Sequence, residues 1–319
     1  MYSHVSTLKT LFTLRDALMT LVTQVDTQQQ EATAKGQELY NLGEFIQSSS
    51  YLTIGAVKGD RDAQYALAEV MRRKDKEGKV SDDAKHWYQL AGAQGHVYAL
   101  MRLGDADSLK KARELAQASA DKGEAAGMLA LYELTQDLSW LKKASDAGSA
   151  EASYLAAVKY DKDDNLIPDV LARRAMIDGL LKKAVDANFS RALHWYANRR
   201  PVSQNLPERR QWVEKRAELN DVNGVLNYGF GLTGYYENEA GVDTEYGFTK
   251  DMVKGYGLIW LVVETTRQLS RHTEARAYLS DLEQEMTPVQ IEAAKASADQ
   301  WKLAHGPMSE FRLSYNDVD

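Results

Sequence analysis

No cysteine occurs in the 319 residues. That single absence excludes disulfides, thiolate zinc sites, iron–sulfur clusters and a cysteine nucleophile together. Proline is scarce, five in all, and glycine stands at 21, which excludes collagen-like and proline-rich disordered chains. Long apolar runs are also missing. The most apolar, Gly257–Val263 (GLIWLVV), has seven residues, against about 20 needed to cross a bilayer. Positive charge is in deficit: 39 Lys and Arg stand against 46 Asp and Glu, for a net charge of −7. General attraction to nucleic acid or to an anionic membrane is therefore disfavoured.

A lack of cysteine suits the cytoplasm and avoids mispaired disulfides in a periplasm equally well. The first residues, MYSHVSTLKTLFTLRDALMTL, do not read as a signal peptide, because Arg15 and Asp16 interrupt the apolar part and no small-residue cleavage site follows. Leu8, Leu11, Phe12, Arg15, Leu18, Val22 and Val25 fall at three- and four-residue steps, the pattern of an amphipathic helix. A mature exported chain without its leader would look the same. The expected location is periplasmic in that case and cytoplasmic otherwise.

What is present is repetition. One frame, Ala84-x-x-Trp87-Tyr88-x-x-Ala91-x-x-x-Gly95, recurs five more times with the same internal spacing. The copies are Ser48–Tyr51–Leu52–Gly55–Gly59, Ala112–Leu115–Ala116–Ser119–Gly123, Asp137–Trp140–Leu141–Ala144–Gly148, Ile177–Leu180–Leu181–Ala184–Asn188 and Arg209–Trp212–Val213–Arg216–Asn220. Offsets 0, 3, 4, 7 and 11 share one stripe of a helix, so each copy predicts a helix with one buried face. The last position is Gly or Asn, the residues that enter the left-handed conformation closing a helix. Four residues later comes a very small residue (Ala63, Ala99, Gly127, Ala152, Ala192, Gly224), which allows a neighbouring helix to approach closely. Each unit is an antiparallel helix pair with too little core to stand alone. The expected fold is all-α, a right-handed superhelical solenoid of about six to seven such pairs. Residues 1–47 form an amino-terminal helical cap, 48–261 the solenoid, and 262–319 the carboxy-terminal capping helices and tail. The frame aromatics, Trp87, Tyr88, Trp140 and Trp212, are expected in the core.

The frame AxxWYxxAxxxG followed by small residues resembles the Sel-one-like repeat, a relative of the tetratricopeptide repeat. YENEAGV (Tyr236–Val242) is similar to the loop between helices of that repeat, and KDMVKGYGLIWL (Lys250–Leu261) to its second helix. MTPVQIEAAKASADQW (Met286–Trp301) resembles the closing helix, with Thr287 as N-cap and Pro288 at the first helical position. The resemblance implies a non-enzymatic protein-binding module. It extends to immunity proteins that neutralise secreted phospholipase-type toxins of type VI secretion, and to bacterial adaptors or scaffolds in signalling and envelope assembly.

Patterns that could carry chemistry lack their contexts. GFGLTG (Gly229–Gly234) satisfies the dinucleotide-loop spacing but lies inside a helical repeat, where helix packing is the expected use. DKDDN starts like a calcium loop, yet Leu166 and Ala172 stand where Gly and Glu are required. Ser108-x-x-Lys111 and Ser139-x-x-Lys142 lack the further elements of serine–lysine enzymes. The six histidines form no ligand pair. No catalytic residue, cofactor site or metal site is expected.

A protein partner is expected on the inner face of the superhelix, lined by the first helix of each pair, which begins after each terminator. Relative to the terminator, offsets 4 and 8 point into the stack, and offsets 3, 6, 10 and 13 project roughly opposite. Those offsets select Asp62, Tyr65, Glu69 and Arg72, then Tyr98, Met101 and Asp105, then Glu151 and Tyr154, and finally Arg191, His194 and Asn198. Exposed Tyr, Met and Arg among acids make a protein-binding mixture.

Overall fold

The computed structural model describes residues 2–74, 80–267, 270–309 and 315, with side chains from residue 14 onward. Among these residues the regular structure is helical, with two isolated bridges and no strand. The helices are α1 (Tyr2–Asn41), α2 (Phe45–Val57), α3 (Arg61–Lys74), α4 (Asp82–Ala93), α5 (Val97–Leu103), α6 (Ala106–Asp121), α7 (Ala125–Thr135) and α8 (Leu138–Asp146). They continue as α9 (Ala150–Lys162), α10 (Val170–Asp186), α11 (Ser190–Asn198), α12 (Leu206–Glu218), α13 (Val222–Thr233), α14 (Met252–Thr265), α15 (His272–Glu285) and α16 (Pro288–His305). From α1 to α14 each helix packs on its sequence neighbours, and α15 and α16 both pack on α14. This is an all-α solenoid. No described helix is long and apolar enough to cross a membrane.

The repeated frame explains the construction. All six terminators are left-handed: Gly59, Gly95, Gly123 and Gly148 have φ between 81° and 95°, and Asn188 and Asn220 have φ of 59° and 54°. The chain therefore reverses at each of them, and the next helix runs antiparallel. Most reversals are followed by a capped start. Asp60, Ser149 and Asp221 accept from the amides of Ala63, Ala152 and Gly224, at 2.8, 3.0 and 2.8 Å. The small residues lie where helices meet. Ala63, Ala99, Ala152 and Ala192 are fully buried. A Cβ on Gly127 would stand 2.6 Å from the Ala120 amide nitrogen, and one on Gly224 would stand 2.8 Å from the Arg216 backbone.

The frame aromatics divide. Tyr88 is fully buried, as are its frame equivalents Leu52, Ala116, Leu141 and Leu181. Trp87, Trp140 and Trp212, one residue earlier and so about 100° around the helix, are only half-buried. They roof the stack edge, and Lys143 lies 3.9 Å above the Trp140 ring.

The glycines of GFGLTG serve packing. Gly229 and Gly231 lie within α13, and a Cβ on Gly229 would meet Ile259 at 2.8 Å and the Gly255 carbonyl at 3.0 Å. YENEAGV forms the α13–α14 connection. It continues into a loop organised by buried Asp243, whose carboxylate accepts from the amides of Glu245, Tyr246 and Phe248. Thr287 and Gln290 form a capping box at the start of α16, with Pro288 at its first position.

Two features were not foreseen. The first is that α1 runs 40 residues. Thr33, Gly36, Leu39 and Tyr40 are buried near its end, whereas Leu14, Leu18, Leu21, Val22 and Val25 are exposed. The side chains of Leu8, Leu11 and Phe12 lie outside the described residues. The second is that the ends of the array meet. Leu42, after α1, is 3% exposed within the apolar core of α12–α16. The Thr266 hydroxyl donates to the Leu42 carbonyl at 3.0 Å, and the Arg267 amide donates to Glu44 at 3.3 Å.

Candidate protein-binding face

The helices that follow the terminators, α3, α5, α7, α9 and α11, present the residues expected to meet a partner. Which way this face curves can be derived from chain connectivity. After α16, Ser309 pairs with the start of α13: its amide donates to the Asn220 carbonyl at 3.1 Å, and its carbonyl accepts from the Val222 amide at 3.0 Å. Tyr315 then lies against α5, stacked on Tyr98 with ring centroids 5.3 Å apart. Six residues span at most about 20 Å. A straight stack would place α13 and α5, four pairs apart, at about 32–40 Å for axes 8–10 Å apart. The α5 surface bearing Tyr98 therefore lies on the side reached from the start of α13, the inner side of the superhelix.

At the amino-terminal end of this face, several expected residues are not exposed. Tyr65 is 3% exposed, Glu69 0% and Met101 6%. Tyr65 packs among Ala84, Tyr88, Ala91 and Ala99 of α4 and α5, and Glu69 meets Tyr88 and Arg102, so offsets 6 and 10 of α3 are interior. Glu69 is the hub. It accepts from the Tyr88 hydroxyl at 2.7 Å, from Arg72 at 2.8 Å and from Arg102 Nε at 2.8 Å. A buried carboxylate needs such partners, because an unpaired one is costly away from water. Burial, and then Glu69, push the Tyr88 phenol far above its usual range. Tyr65 is shifted the same way for the same reasons, and its hydroxyl is buried without a hydrogen-bond partner.

Arg102 escaped the sequence reading. At offset 7 from Gly95 it lies only about 40° from offset 3, and that proximity was the available signal. His96 is a second omission. Its Nδ1 accepts from the Ala99 amide at 3.2 Å as the N-cap of α5, and its ring stacks on Tyr65 at 4.1 Å. Burial pushes this imidazole down to about 4, against the opposing pull of Asp62, whose carboxylate lies 4.0 Å away. Asp62 itself is exposed. Asp105 leaves the face altogether. Gly104, at φ 74°, ends α5 early, and Asp105 caps α6 by accepting from the Ser108 amide at 2.9 Å.

Further along, the expected residues remain accessible. Tyr98, Glu151, Tyr154 and Arg191 are half-buried, and His194 and Asn198 are exposed. Tyr98 and Glu151 come close enough that burial, followed by the Glu151 and Glu133 charges, raises the Tyr98 phenol. Tyr154 leans on Phe189 at 5.3 Å and meets Trp195 edge-on at 6.0 Å. Asn198 accepts from Arg209 at 2.7 Å and donates to the His194 carbonyl at 2.8 Å. The face thus has a sealed ionic end on α3–α5 and an open aromatic and charged stretch on α9–α11. Among the described residues no group of His, Asp and Glu is arranged to hold a metal ion.

Six left-handed terminators, each followed by a buried small residue and an antiparallel helix, decide the architecture. It is that of an all-α solenoid of antiparallel helix pairs. No family profile and no curated protein matches the chain. Solved structures with Sel-one-like repeats do align with it. A protective antigen of uropathogenic Escherichia coli with this fold aligns at 18% identity and TM-score 0.47, over 88% of this chain and 62% of that one. The chain thus spans less than two thirds of that antigen. A Sel1 repeat protein from Oxalobacter formigenes aligns at 16% identity and TM-score 0.35, over 72% and 96%. An immunity protein from Pseudomonas aeruginosa aligns at 16% identity and TM-score 0.37, over 70% and 82%. At these identities the likenesses concern the fold. What this solenoid does rests on its own concave face.

Proposed function

We propose that this chain is a non-enzymatic binding protein that docks another protein in its concave face. The observation that supports this is the accessible stretch of Glu151, Tyr154, Arg191 and His194 across α9 and α11. Aromatic and Arg anchors set among charged groups on a curved, pre-formed surface are what specific interfaces use. In its specific form the partner is a secreted phospholipase-type toxin, the chain is the cognate immunity protein, and the two meet in the periplasm. The general form is an adaptor.

Affinity capture with the purified chain, followed by identification of what co-purifies, supplies the partner. The Tyr154→Ala, Arg191→Ala double variant then tests the face. Capture should weaken by about tenfold or more, with the thermal midpoint close to that of the parent. Undiminished capture would move the binding surface elsewhere. For the immunity form, co-expression in the compartment where the toxin acts must rescue growth, and a chain confined to the other compartment must not.

A further inference from the structure

Tyr315 is 213 residues from the arginine that holds it. Its carbonyl accepts from the Arg102 guanidinium at 2.7 Å, and that guanidinium also lies over its ring, 4.3 Å from the centroid. On its other side the ring stacks on Tyr98 at an interplanar angle of 18°. The seat itself is rigid. Arg102 is fixed through its Nε to fully buried Glu69, which Tyr88 and Arg72 hold in turn. Tyr98 packs against the buried cluster of Leu100, Met101 and Ala112. What this pair reads is a flat aromatic side chain together with the carbonyl of the same residue.

We propose that the Tyr98–Arg102 seat is a docking site for an aromatic residue of a partner protein, and that Tyr315 occupies it in cis until the partner displaces it. The inference rests on the reading of the concave face as a protein-binding surface and adds the chemistry of one contact and its regulation. The tail is a competitor because it is tethered. Only five residues separate Tyr315 from Ser309, which is anchored on α13. A short tether gives an effective concentration of about 1 mM. A segment of intrinsic Kd near 0.1 mM would then find the seat about nine-tenths occupied, and its apparent affinity would fall about tenfold.

The test uses the full chain and a labelled synthetic peptide of residues 313–319 (LSYNDVD), read by fluorescence anisotropy. Tyr315→Ala should bind the peptide about tenfold or more tightly than the parent. Adding Tyr98→Leu, which removes the stacking ring and keeps apolar bulk, should abolish that gain. A peptide with alanine in place of its tyrosine should bind neither chain. Equal binding by parent and Tyr315→Ala, or a gain that survives Tyr98→Leu, would overturn the proposal. A Tyr315→Ala chain that captures its protein partner no better than the parent would also overturn the competitor role. These outcomes are separate from loss of capture in the Tyr154→Ala, Arg191→Ala variant, which judges the broader reading on different helices.

Discussion

The two ends of this solenoid are built by different means, although the same frame runs into both. From α12 to α16 the interior is one continuous apolar core, in which Phe230, Tyr256, Leu226, Leu258, Ile259 and Val262 are buried at 2% exposure or less. From α3 to α7 the interior is broken into small clusters of alanine with few large residues, such as Ala84, Ala91 and Ala99 around Tyr88. Alanine contacts allow close approach of helices but bury little apolar area. In that stretch a polar hub, Glu69 with Arg72, Arg102 and Tyr88, fills the centre instead. The contrast teaches where each function can reside. A continuous core seals the carboxy-terminal end with apolar contacts, whereas the thin core is held by paired polar groups with fixed positions.

Breaking each core at its centre should produce the largest effects. Phe230→Ala, at a fully buried ring, should cost about 3–5 kcal/mol in denaturant unfolding. Glu69→Ala should cost toward the lower end of about 3–5 kcal/mol, because it strands two guanidinium groups that can still reach water. A smaller loss for Phe230→Ala than for Glu69→Ala would reverse the comparison.

The thin-core end should also carry a distinctive acid response. His96 titrates near 6.5 when unfolded and near 4 in the fold. Between those values the unfolded chain binds more protons, so stability is full above about 6.5 and declines as pH falls toward 4. The contribution is at most on the order of 3 kcal/mol. His96→Asn keeps a capping acceptor without this titration. Its stability relative to the parent should therefore improve as pH drops through that window, and a constant difference would refute the assignment.

Smaller still is the comparison of the two asparagine terminators. Asn188 is exposed, so Asn188→Gly should be close to neutral and Asn188→Ala should cost about 1 kcal/mol from the left-handed backbone alone. Asn220 is 1% exposed, donates to the Gly306 carbonyl at 2.6 Å and accepts from Trp301 Nε1 at 3.0 Å. Asn220→Gly should therefore cost about 1–3 kcal/mol. Trp87→Ala falls between these cases. With the ring half-buried, its cost should lie below the roughly 3–5 kcal/mol of a fully buried tryptophan. Thermal or urea melts of these three positions check the series.

By itself, the sequence determined whatever depends on local periodicity: the helices, their left-handed ends, the small residues at their crossings and the antiparallel pairing. These are set by interactions within about a dozen residues, so a repeated frame displays them directly. The same periodicity selected Tyr98, Glu151, Tyr154, Arg191 and His194 as accessible. It erred at Tyr65, Glu69 and Met101, because whether one side of a short helix is open or covered depends on how sharply the stack bends. Curvature accumulates over many pairs and leaves no period in the chain. Only the tertiary structure decided that the two ends meet through Leu42 and Thr266, and that Tyr315 is seated on Arg102. Those contacts join residues more than 200 positions apart, and no local pattern encodes which distant surfaces will be brought together.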